Sequence, residues 1–115
     1  MNRQELSDRT KEFALRIIKL VSSLPNTNVA RTLGNQLLRS GTSIGANYRE
    51  ACRAGTKKHF TSILTISLRE ADETSYWLEL LAESEIVNPK QLESLRQECS
   101  ELVAIFAASV KTSRS

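Results

Sequence analysis

Apolar side chains recur along this chain at alternating steps of three and four, and the pattern is interrupted at Pro25-Asn26-Thr27-Asn28, at Gly55-Thr56 and at Asn88-Pro89. Such steps keep residues on one face of a helix with 3.6 residues per turn. Leu6, Phe13, Ile17, Leu20 and Leu24 form the first stripe. Leu33, Leu37, Ser40, Ile44, Asn47 and Ala51 form the second, and Phe60, Leu64, Ser67, Ala71, Ser75, Leu78 and Ala82 the third. Leu92, Leu95, Cys99, Leu102, Phe106 and Val110 complete the fourth. The spacing predicts helices over about 4–24, 28–54, 56–85 and 89–111, with a fraying tail after residue 111. Thr27 or Asn28 can cap the second helix, Thr56 the third, and Asn88-Pro89 supplies a cap followed by proline at the first helical position. Gly55 is placed to end the second helix.

Four amphipathic segments joined by short turns predict an all-α fold, an antiparallel up-down-up-down four-helix bundle. With 115 residues the chain has room for one domain, residues 1–115, large enough to bury a core without metal or disulfides. Glu5 and Asp8 precede any apolar run, and no stretch approaches the ~18 apolar residues of a membrane span, so the expected setting is the cytoplasm, with Cys52 and Cys99 reduced.

Gly34, Gly41 and Gly45 fall inside the second helix, where each costs roughly 1 kcal/mol relative to alanine. Close approach of a neighbouring helix offsets that cost; a break near Gly41 is the alternative. Ser40, Asn47, Ser67 and Ser75 lie on stripes where a bundle normally places leucine, so buried copies need hydrogen-bond partners. Interhelical contacts that fix register account for them. A small-molecule or catalytic site at Ser40, Asn47, Ser67 and Glu70 is the competing reading, and it lacks a paired nucleophile and base: His59 is the single histidine. That one histidine also leaves a di-metal bundle without its usual Glu-x-x-His pairs. The sequence therefore predicts no catalytic residues, no metal and no cofactor. Glu70 and Glu73, three apart, read as an interhelical or solvated polar face, and Cys99 as a small core residue.

Sixteen Lys and Arg against thirteen Asp and Glu give a net charge of +3, which hides an uneven distribution. Arg31, Arg39, Arg49, Arg53, Lys57 and Lys58 face only Glu50 over 31–58, whereas Arg69 stands against six acids over 69–85. At about 100° per residue, Arg31, Arg39, Arg49 and Arg53 share an outer arc of the second helix, roughly opposite its apolar stripe. A row of guanidinium groups on a rigid helix suits phosphate contact. It suits equally a solvated face, or one that meets the acids of a neighbouring subunit. The third helix carries a second apolar strip, Ile66, Trp77 and Leu80 with Tyr76 alongside, expected to be an oligomer interface.

The segment QLLRSGTSIGANYREACRAGTKKHFTSILTISLREADETSYWLEL, Gln36 to Leu80, resembles a bacterial family of small four-helix proteins encoded by intervening sequences in 23S ribosomal RNA genes. A related branch includes the accessory variability determinant of diversity-generating retroelements. The likeness rests on Gln36, Arg39, Ser40, Ser43-Ile44 and Asn47, then Phe60, Leu64, Ser67-Leu68, Glu70 and Glu73-Thr74. Where the family commonly reads Asn-Ile-Ala-Glu-Gly, this chain has Asn47-Tyr48-Arg49-Glu50-Ala51, with its glycine displaced to Gly55. The resemblance implies a ring-like homopentamer. It also implies, from the retroelement branch, a basic surface for nucleic acid and a reverse transcriptase partner. The expected function is that of a non-enzymatic oligomeric accessory binding nucleic acid through Arg31, Arg39, Arg49, Arg53, Lys57 and Lys58. The alternative is a protein–protein scaffold that binds no nucleic acid.

Overall fold

A computed structural model describes residues 1–115, which form four helices, α1 (Arg3–Ser22), α2 (Asn28–Cys52), α3 (Lys57–Glu83) and α4 (Pro89–Arg114), joined by short turns. Each start is fixed by a side-chain cap. Asn2, Thr27, Thr56 and Asn88 accept from the amides of Glu5, Ala30, His59 and Lys90, at 2.8, 3.2, 3.1 and 3.0 Å. A cap of this kind contributes about 1 kcal/mol by satisfying an amide the helix leaves unpaired. The tail expected to fray instead continues the last helix through Arg114, whose charge and that of Lys111 oppose the negative end of the α4 dipole.

The helix ends depart from the expected chemistry. α2 closes at Cys52 with Arg53 as its cap, and no glycine has a positive φ, so Gly55 does not end it in a left-handed turn. The left-handed residue lies after α3 and is Glu85, φ 59°. A side chain there costs about 1–2 kcal/mol that glycine avoids. Glu85→Gly is therefore expected to stabilise the fold by about 1 kcal/mol in urea denaturation; a loss of stability would refute this account of the turn.

The helices pack in cyclic order, each on two others, in a bundle of 44 × 21 × 19 Å. All six residues of the α4 stripe are buried, as are Leu6, Phe13 and Ile17 of α1 and Leu37, Ile44 and Ala51 of α2. Two of the polar stripe residues, Ser67 and Ser40, make interhelical hydrogen bonds. The Ser67 hydroxyl donates to the Ile44 carbonyl across α2 and α3 at 3.0 Å, and the Thr74 and Ser40 hydroxyls meet at 2.9 Å. Asn47 instead donates to the Ser43 carbonyl of its own helix. Cys99 donates to the Ala71 carbonyl at 3.4 Å, and burial, reinforced by Asp72 and Glu98, pushes its thiol up to about 12. It is inert packing.

α2 is unbroken at Gly41. A Cβ on Gly41 would meet Ile17 at 3.0 Å and one on Gly45 would meet Thr10 at 3.0 Å, so both glycines let α1 lie against α2. Two arginine clamps close the bundle on opposite sides. Arg9 of α1 holds Glu98 with two bonds of 2.7 Å and Glu101 at 2.9 Å, both on α4. Arg39 of α2 holds Glu70 and Glu73 of α3. No helix is long and apolar enough to cross a membrane.

Candidate nucleic-acid interface

Arg3 opens α1, Arg53 caps the end of α2, Lys57 opens α3 and Arg114 closes α4. A hollow of about 660 Å³ collects all four of these regions at one end of the bundle, lined among others by Arg3, Ala51, Lys57, Phe60, Ala108 and Ser113. Arg3 lies over the Phe60 ring, 4.7 Å from its centre. Lys57 donates to the Ser115 main-chain oxygen at 3.1 Å.

Two further hollows adjoin this one, and another extends from one of them. On the α1/α2 side Arg3 leads into a concavity with Gln4, Ser7, Arg49, Cys52 and Arg53. Ser7 and Arg49 then lead into a third with Thr10, Lys11 and Thr42. On the α3/α4 side Lys57 and Ser113 lead into a fourth, about 670 Å³, with Lys58, Thr61, Ser62, Thr65 and Arg114. The result is a continuous band from the α1/α2 groove, over the end, to the α3/α4 groove. Arg3, Lys11, Arg49, Arg53, Lys57, Lys58 and Arg114 line it, and not one Asp or Glu does. None of these seven cations has an Asp or Glu carboxylate within 4.0 Å, Lys57 being held instead by the Ser115 main-chain oxygen; every ion pair to Asp or Glu belongs to Arg9 or Arg39.

This geometry divides the row of α2 arginines expected from sequence. Arg49 and Arg53 lie in the band. Arg39 does not: its guanidinium is tied to Glu70 and Glu73, because the acidic pair on α3 packs beside that part of α2. Arg31 lies at the other end, where it donates to Asn26 in the α1–α2 connection. Lys57 and Lys58 line it from α3. Arg3, Lys11 and Arg114 come from α1 and α4 and escaped the sequence reading, since a helical wheel drawn for one helix is blind to cations delivered by another.

The apolar strip on α3 is also narrower than expected. Ile66 and Tyr76 are exposed, at 38% and 53%, but Leu80 is half-buried. Trp77 is half-buried too, its ring lying back onto the core beside Tyr76, with its indole N–H enclosed and unpartnered. A second apolar group, Leu15 and Ile18 on α1 with Val29 at the start of α2, is exposed and was not anticipated.

Comparison with known proteins agrees with the fold. The family model described as 23S rRNA-intervening sequence protein matches residues 3–108. A crystal structure of a protein with unknown function from the S23 ribosomal protein family of Bacteroides thetaiotaomicron VPI-5482 is 40% identical, covers 96% of this chain and 99% of its own, and superposes with a TM-score of 0.88. No curated protein matches the chain.

Proposed function

The chain belongs to the 23S rRNA-intervening sequence protein family, and on that premise we propose that it is a non-enzymatic, self-associating accessory protein that binds nucleic acid through the basic end of its bundle. The observation that carries this reading is the band of seven cations with no acid among its lining residues. Surface cations normally stand among acids that lower the local potential. A concave run without them concentrates positive field and draws a polyanion. For a family tied to 23S rRNA genes, and with a similar protein placed in the S23 ribosomal protein family, we take RNA as the polyanion.

In this reading the helices run antiparallel, up-down-up-down, and copies associate head to tail. Ile66 and Tyr76 on α3 and Leu15 and Ile18 on α1 belong to helices that do not pack on one another within a chain. Two different apolar strips on opposite corners suit a heterologous contact, which gives a ring such as the homopentamer when its rotation closes.

Binding of a labelled RNA, followed by fluorescence anisotropy, tests the proposal. Affinity is expected to fall linearly on a log–log plot against salt, with a slope of about −3 to −6 if four to seven phosphates are neutralised. Absence of binding at low ionic strength would overturn it and favour a protein scaffold.

A further inference from the structure

The band has a second chemical regularity. Between its cations stand hydroxyls, including Ser7, Ser62, Thr65, Ser109, Thr112 and Ser113, and its lining offers no open aromatic face. Phe60, the one ring there, is half-buried and covered by the Arg3 guanidinium. Phe13, Tyr48 and Phe106 are buried in the core, and Tyr76 and Trp77 do not line the band.

Proteins that hold single strands gain about 1–3 kcal/mol per base by stacking it on an aromatic ring. This surface offers a base no open phenylalanine, tyrosine or tryptophan ring. Double-stranded RNA keeps its bases paired and presents phosphates and 2′-hydroxyls across a wide, shallow minor groove. Arginine and lysine meet the phosphates, and serine and threonine hydroxyls meet phosphates and 2′-hydroxyls alike. Resting on the nucleic-acid reading above, we infer that the ligand of the band is double-stranded RNA, held by its backbone without regard to sequence.

Three labelled probes of the same mixed sequence distinguish the possibilities at one fixed salt concentration: an RNA duplex of about 16 base pairs, one of its strands alone, and the corresponding DNA duplex. The RNA duplex is expected to bind about tenfold more tightly than the single strand, and about threefold more tightly than the DNA duplex, which lacks the 2′-hydroxyl. Ser62→Ala combined with Thr65→Val, both in the α3/α4 hollow, is expected to narrow the RNA-to-DNA difference. A single strand that binds as tightly as the duplex overturns the inference while leaving nucleic-acid binding in place. So does a DNA duplex equal to the RNA duplex. Failure of all three probes to bind overturns the inference together with the reading beneath it.

Discussion

Replacing Arg49 and Arg53 together by glutamate is expected to lower RNA affinity at least about a hundredfold at low salt, with the fold intact. The change removes two cations and places two anions on the α1/α2 flank of the band, where Arg3 and Lys11 would then face carboxylates. Four units of charge acting on closely held phosphates, at a modest 0.7 kcal/mol each, give about 3 kcal/mol, or two decades in affinity. Two single changes serve as controls, because sequence placed them on the same arc and the structure separates them. Arg31→Glu alters a residue roughly 27–33 Å along α2 from Arg49 and Arg53, by the 1.5 Å rise of a helix, and should leave affinity within about twofold. Arg39→Glu sets a third carboxylate against Glu70 and Glu73; its cost should appear as a lower melting temperature, with RNA affinity of the folded protein little changed. Equal losses from Arg31→Glu and from the double change would restore the whole α2 arc as the contact surface.

Gly41→Leu is expected to destabilise the bundle by about 3 kcal/mol, lowering the melting temperature by roughly 10 °C. Gly41 is buried, and a Cβ there already stands 3.0 Å from both Cγ atoms of Ile17 and 3.3 Å from its Cβ. The β-branched Ile17 is itself fully enclosed, so it cannot swing away. The remaining leucine carbons have no volume to enter, and α1 must lift from α2. Gain in helix propensity on losing a glycine, about 1 kcal/mol, is too small to reverse the sign. Gly55→Leu is the matched control: nothing lies within 4 Å of its Cβ position and its φ is not positive. It should shift stability by less than about 0.5 kcal/mol. Circular dichroism melts of the two variants check both expectations, and equal melting temperatures would contradict the close α1–α2 approach.

The helices and most of their buried faces were legible because leucine, isoleucine and phenylalanine announce a 3.6-residue period whatever packs against them. Thr10 and Thr74 were not, since a threonine belongs to no apolar pattern; each is fully buried because it faces a small partner, Gly45 for Thr10 and Ser40 for Thr74. Glu85 was equally silent, because a left-handed residue that is not glycine leaves no compositional mark. The candidate site was half legible. Arg49, Arg53, Lys57 and Lys58 stood out as basic residues near one turn. Their companions Arg3 and Arg114 lie near the two ends of the chain, and only the packing of four helix termini brings them together. The signal that could have found them was positional: a cation at the first or last turn of every helix that reaches this end.

Mapping amide chemical shifts of the protein as duplex RNA is added tests the central claim most directly. The account predicts that the largest changes fall on Arg3, Ser7, Arg49, Arg53, Lys57, Lys58 and Ser113, with Arg31, Arg39 and the Ile66–Tyr76 strip unmoved. Changes centred on Arg31 and Arg39, or no changes at all in low salt, would contradict it.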